Sequence, residues 1–376
     1  MLRTLRALAV LVAVLAVPLA SAAQTGGSLT VPAGFGIDRI ATVRGARELA
    51  VAPNGDLFVG TMGSNVYLVA DAQGTAAQPR VFVHLDDAPV AGVTLDGDRL
   101  ILGAQFGVYE VPYHAGERTA QGTPRKLASV RTSGIARDHV TTSVAVAKNV
   151  IYASVGSSCN NCDPDLDATR ATIQRVTANG IAPEAKRIRN AIALATNPAT
   201  GTLWAGVAGQ DELERGHPYE IFDPVTLHRP VVDYGWPFCY ENHRAVSGHS
   251  CNDVVVPRVV FPAYSTPIGA VFYPLHPSGP HAFSDSYRGG AFVTLRGSWH
   301  QPPVAPRVVF VAMNGDEPRT AVDWNDPGVQ WKEFVGGFQR SDGSRIARPT
   351  GIAVAPDGSL FFSEDEGGGI YRIRPK

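Results

Sequence analysis

One strand–turn–strand unit recurs six times along this chain, and that repetition limits the fold more than any other feature. "ARELAVAPNGDLFVGT" (46–61) returns nearly intact as "ARPTGIAVAPDGSLFFSED" (347–365). Between them lie "AGVTLDGDRLILGA" (91–104), "HVTTSVAVAKNVIYASVGS" (139–157) and "RNAIALATNPATGTLWAGVAG" (189–209). A looser copy, "TPIGAVFYPLHPSGPHAFSDSYRGGAFVTLRGS" (266–298), carries an insertion at its turn. Each reads as two β-rich runs around an Asn, Asp or Gly turn. Their starts advance by roughly 45 to 80 residues, the length of a four-stranded blade plus loops. The expectation is an all-β fold, a six-bladed β-propeller forming a single domain, in which closure of the ring removes exposed edges. The alternative is a β-sandwich with coincidental hairpins, which the likeness of the first and last units disfavours. The final "GGGIYRIRPK" is expected to complete the ring by pairing with "GFGIDRIATV" near the start.

The first 23 residues are expected to stand apart from this unit. "MLRTLRALAVLVAVLAVPLASAA" has two arginines, a short apolar run and a small-residue end, the pattern of a secretory signal peptide. The mature chain, 24–376, contains no run long enough for a membrane span, so a secreted or periplasmic location is expected. With 33 basic and 34 acidic side chains, and two of the basic ones in that leader, no basic footprint for nucleic acid remains. The four cysteines fit two disulfides in an exported chain, Cys239 with Cys251 and Cys159 with Cys162. A zinc site would want a second CxxC arm or nearby histidines, and the second pair is twelve residues apart.

In an antiparallel hairpin the start of one strand and the end of the next share an edge. If the six units are inner hairpins, those edges surround one mouth of the central channel. His139 stands eight residues before the turn position Ala147, Arg348 eight before Pro356, and Arg189 seven or eight before Thr196 and Asn197. The register therefore predicts a constellation of His139, Arg189, Asn190, Arg296 and Arg348, with carboxylates nearby. A neutral imidazole is the usual general base near neutral pH. Converging arginines need an anionic partner, and their planar forks suit carboxylates and developing oxyanions. A multiply anionic redox cofactor fits such a mouth better than a neutral sugar alone.

The segments "RDHVTTSVAVAKNVIYASVGSSCNNC", "RIRNAIALATNPATGTLW", "DYGWPFCYENH", "YRGGAFVTLRGSW" and "RPTGIAVAPDGSLFFSEDEGGGIYRI" resemble the soluble PQQ-dependent sugar dehydrogenases (PQQ, pyrroloquinoline quinone), the aldose and sorbosone dehydrogenase-like propellers. The likeness spans about residues 45–373. It implies oxidation of the hydroxyl or hydrated aldehyde of an aldose- or sorbosone-type sugar, with hydride passing to PQQ and electrons to an external acceptor. In that frame His139 is the base, Asp138 orients or tunes it, and Arg189 steadies the quinone oxygen with Asn190 beside it. Arg296 and Arg348 are cofactor contacts. The family's calcium ion (Ca2+) is implied at the loop after the Arg-Asn blade, where Gly209, Gln210 and Asp211 stand.

The chain departs from the pattern at two places. Thr142 stands where relatives often carry an arginine three residues after the histidine, and Arg296 and His300 stand where many read His and Asn. A non-catalytic propeller binding a ligand at the same mouth is the first alternative, and a calcium-dependent lactonase or other hydrolase the second. The latter wants Asp, Glu and Asn on one metal, whereas this mouth offers mostly Arg and His. The Asp163, Asp165 and Asp167 alternation lacks the glycine and glutamate of a calcium loop and reads as a polar loop. Tyr234 to Pro237 reads as a packed turn.

Overall fold

The computed structural model describes residues 29–134, 138–298, 300 and 304–376. The expected leader, 1–23, lies outside the described residues. Twenty-four strands form six four-stranded antiparallel sheets, each strand hydrogen-bonded to the next outward, as a propeller requires. The inner strands are Ala46–Val51, Gly92–Asp96, Thr142–Ala147, Ala191–Thr196, Pro267–Phe272 and Pro349–Val354, one from each repeat found in the sequence. In the third blade, Val232–Asp233 adds a short parallel fifth strand.

The tight hairpins follow from turn chemistry. Thr142–Ala147 pairs with Val150–Val155 across Lys148 and Asn149, both in the left-handed region at φ 49° and 63°. Two such residues make the turn whose twist matches a right-handed strand pair. The strand begins at Thr142, three residues after His139, which itself turns at φ 42°.

The sixth blade closes the ring as expected. Phe35–Thr42 pairs antiparallel with Gly369–Pro375, from Phe35 against Pro375 to Thr42 against Gly369. Between blades the cores are apolar and continuous. Phe58, Phe82, Leu102 and Tyr113 fill the seam between the first two blades, and Tyr273, Phe283, Phe292 and Phe362 the seam between the last two. Around the axis the inner strands come very close. A Cβ on Gly269 would lie 2.3 Å from the Thr350 carbonyl oxygen, and one on Gly351 2.1 Å from that of Arg47, so only glycine fits. These contacts narrow the channel to a neck below its upper mouth.

Both disulfides are formed, Cys159–Cys162 and Cys239–Cys251. They close the loops 159–162 and 239–251. The Asp165 and Asp167 carboxylates are spent on the chain, accepting from the Ser158, Ser133 and Thr169 backbone N–H groups, which makes this a polar loop and not a calcium loop. Tyr234 and Trp236 are buried, and the Trp236 indole donates to the Asn160 carbonyl at 3.0 Å, as a packed turn requires. Among the described residues no helix is long and apolar enough to cross a membrane.

Candidate active site

The upper mouth of the channel holds a cavity of about 320 Å³. His139, Arg189, Asn190, Arg296 and Arg348 all line it, with Gly209 and Asp211. Asp138 and Gln210 do not: Asp138 is exposed, and Gln210 is buried behind the wall against a separate pocket with Trp236 and Tyr219.

His139 enters at a strained turn. Its Nδ1 lies 2.9 Å from the Ser157 carbonyl oxygen, which can only accept, so the proton sits on Nδ1 and Nε2 keeps its lone pair. Ser157 therefore does the orienting expected of Asp138, whose carboxylate acts on the ring only through space. Two buried arginines stabilise the turn. Arg170 donates to the carbonyls of Gly156 at 3.0 Å, Ser157 at 2.8 Å and Asp138 at 2.6 Å. Arg131 reaches the carbonyls of His139 at 2.9 Å and Thr141 at 2.6 Å and the Thr142 hydroxyl at 2.6 Å. Thr142 thus bonds to a guanidinium brought from the preceding loop, at the position where relatives often carry their own arginine.

Burial first, and then the Arg189 charge, lower His139 to about 4. An ordinary histidine titrates near 6.5. The ring is thus neutral at pH 7, as a base must be. Because the folded value is depressed, the stability this confers is complete above about 6.5 and is lost as pH falls through 4. Thermal denaturation of the wild type should show a steeper fall over that window than a His139→Gln variant; equal slopes would remove His139 as its source.

Arg189 is buried and anchored. Its Nη2 bonds Asn160 Oδ1 at 3.0 Å and Asp211 Oδ2 at 3.1 Å, and its Nε the Asn160 carbonyl at 3.2 Å. Asn190 follows it and packs on Gly156. A Cβ at Gly156 would fall 2.3 Å from Asn190 Oδ1 and 2.5 Å from His139 Cβ. Gly156→Ala must push one of them aside. It should cost about 1–3 kcal/mol of stability by overpacking, read by denaturant titration, and should lower turnover if the displaced His139 ring takes part in it. Unchanged stability and turnover would refute this packing.

On the opposite wall, Asp365 Oδ2 receives Arg296 Nε at 3.0 Å, Arg296 Nη2 at 2.8 Å and Arg47 Nη1 at 2.9 Å. Arg348 donates to the carbonyls of Arg296 at 3.1 Å and Gly297 at 2.7 Å, with no carboxylate bonded to it among the described residues. Burial, and then the Arg296 charge, lower it to about 10. Arg47 and Arg296 thus share one carboxylate and Arg348 bonds only carbonyls, which leaves this wall electrostatically short of an anion.

The sequence reading missed several lining groups. Arg47 stands one residue into the first inner strand, six residues before Pro53 where Arg348 stands eight before Pro356, so the spacing that found Arg348 passes over it. Tyr264 stacks on His300 at 3.8 Å between ring centres, and His300 Nε2 lies 3.6 Å from Asp211 Oδ1. Glu220 is buried; its Oε2 accepts the Gly209 N–H at 2.7 Å, holding the loop that carries Asp211, and burial lifts its carboxyl to about 7. Among the described residues, the one cluster of three side chains spaced for a metal is Cys159, Cys162 and Asp165, whose cysteines are spent in a disulfide. A cation in the cavity would therefore draw on Asp211, loop carbonyls and the ligand's own oxygens.

Residues 217–376 match the family model described as TrAA12-like. A "Pyrroloquinoline quinone-dependent sugar dehydrogenase" of Hypocrea jecorina is 22% identical over 404 residues, covering 93% of this chain and 83% of that protein. An uncharacterized protein of Borreliella burgdorferi is 26% identical over 192 residues, and the match spans 50% of this chain and 47% of that protein. Among solved structures, the Trichoderma reesei carbohydrate-active enzyme of family AA12 superposes with a TM-score of 0.77 at 19% identity, covering 93% of this chain and 98% of that one. The PQQ domain of pyranose dehydrogenase from Coprinopsis cinerea gives 0.77 at 19% identity, covering 92% and 97%. The six-bladed architecture is shared with these proteins, and the chain's resemblance to the PQQ-dependent sugar dehydrogenases, expected from its motifs, is borne out.

Proposed function

We propose that this propeller is a PQQ-dependent sugar dehydrogenase, oxidising the hydroxyl or hydrated aldehyde of an aldose- or sorbosone-type sugar. The observation that carries the reading is the pairing of a neutral, acceptor-ready His139 with an anion-deficient arginine wall across one 320 Å³ cavity. A hydrolase would want carboxylates converging on one metal, whereas here Asp211 bonds Arg189, Glu220 accepts the Gly209 N–H, and guanidinium groups dominate the cavity.

Arg348, Arg296 and Arg47 would hold the carboxylates of the quinone, and Arg189 and Asn190 would face its reacting edge. The bound quinone supplies a two-electron acceptor for hydride. Nε2 of His139 takes the proton from the substrate hydroxyl, while Ser157 keeps Nδ1 protonated and the ring aimed. Arg189, already held by Asn160 and Asp211, would present a fixed guanidinium to the quinone's reacting edge and stabilise negative charge there without reorganising. Calcium, if it joins, would rest on Asp211 and the Gly209–Gln210 backbone as a Lewis acid beside the quinone. Tyr264 and His300 offer the substrate a stacked wall.

Residues 24–376 would form the mature domain, exported to the periplasm or beyond, where the two disulfides persist. Electrons would leave to a separate acceptor. The test is to titrate mature apoprotein with PQQ and Ca2+ by the cofactor's absorbance, then add aldoses and sorbosone with an artificial dye acceptor. Saturable binding and dye reduction support the reading. Folded protein that binds no PQQ at micromolar concentration sinks it in favour of a ligand-binding propeller.

A further inference from the structure

Beyond the cavity at His139 lie a neck of about 10 Å³, lined by Arg47, Thr141, Ser143 and Thr350 among others, and a lower cavity of about 300 Å³, each sharing lining residues with the next. Thr141 lines both cavity and neck, while Glu48 lines both the neck and the lower cavity. The neck has room for about one water. From His139 the chain runs through Thr141, just ahead of the inner strand, to Ser143 within it and so to Glu48, which takes a hydrogen bond from the Ser143 side chain and accepts the Val93 N–H at 3.2 Å.

We propose that Glu48 is the exit carboxyl of a proton relay running from His139 through Thr141 and Ser143 to the lower cavity. The idea rests on the dehydrogenase reading above. Once a cofactor and a sugar fill the upper cavity, the mouth is closed to water, yet each oxidation leaves a proton on His139 Nε2. That proton passes to a neck water or the Thr141 hydroxyl. Each hydroxyl accepts one proton and releases another, and Glu48 hands one to water in the lower cavity. The substrate's electron pair leaves with the hydride to the quinone, so nothing in the relay is oxidised or reduced.

Among the described residues Glu48 is the sole ionisable side chain lining the lower cavity, and the neck adds just Arg47, itself bonded to Asp365. The groups facing Glu48 from the other five inner strands are Val93, Ser143, Val144, Ile192, Ile268 and Gly351, none of which titrates. Burial lifts the Glu48 carboxyl to about 8, with the hydrogen bonds of Ser143, Val93 and Val144 pulling it back. A carboxyl held so close to ambient pH both gives and takes a proton readily.

The test uses Glu48→Gln with two readouts. In apoprotein near neutral pH, difference infrared spectroscopy should show the carbonyl stretch of a protonated carboxyl that titrates away toward alkaline pH and is missing from E48Q. In the PQQ-loaded enzyme, single-turnover stopped flow should follow quinone reduction by absorbance and proton release by an indicator dye. In E48Q the ratio of proton-release rate to quinone-reduction rate should fall by about tenfold or more. An unchanged ratio overturns the relay while leaving the dehydrogenase intact; a wild type that no sugar reduces overturns both. Should E48Q fail to fold, Ser143→Ala removes the link and leaves the carboxyl, and must show the same delay.

Discussion

Replacing His139 with alanine should abolish turnover, by about 10²–10⁴-fold, while leaving the cofactor in place. The two effects separate because they live on different walls. The proposed base is one ring nitrogen, presented by the Ser157 carbonyl at a left-handed turn that Arg131 and Arg170 stabilise from behind. The anion-binding groups, Arg47, Arg296 and Arg348, are organised by Asp365 and by the Arg296 and Gly297 carbonyls. The measurement is a pair: PQQ affinity by absorbance titration, and the rate of quinone reduction by sugar. Turnover surviving in the variant would show that another group takes the proton. Loss of both properties would mean that the ring is mainly a cofactor contact.

Asp365→Ala should have the largest effect on stability. Its Oδ2 neutralises Arg47 and Arg296 together, within reach of Arg348, at sites where the side chains are mostly buried. Removing the carboxylate leaves three guanidinium groups facing one another, at a cost of about 3 kcal/mol. A bound polycarboxylate should return much of that loss, because it restores the missing negative charge. Urea denaturation of the variant, with and without PQQ, distinguishes this from simple loss of a contact. A variant as stable as the wild type would show that water screens the wall well enough without Asp365.

The repeats made the architecture legible. Near-identity of "VAPNGDLF" and "VAPDGSLF" fixed two blades, and the turn residues set the register that brought His139, Arg189 and Arg348 to one mouth. What stayed hidden depended on side chains that travel. Asp138 adjoins His139 in sequence, yet the backbone turn sends its carboxylate to solvent and brings a carbonyl eighteen residues away to the ring. Arg131 reaches Thr142 from outside the repeat, so no motif announces it. Asp365 did stand at a strand end, but its service to arginines of two different blades depends on the ring having closed. Glu48 sits in plain view in "ARELAV", and only the narrowing of the channel makes its carboxyl unusual.

The sheet that joins Phe35–Thr42 to Gly369–Pro375 also sets an order in time. The first of these strands leaves the ribosome more than three hundred residues ahead of its partner, and until then it has no neighbour to bond. Five blades can stack as they emerge, but the cation wall joins Arg47 of the first blade to Asp365 of the last and so is completed after all of them. On the proposed reading the chain cannot capture a quinone before its ring is closed, and the act that closes the ring is also the act that makes it competent.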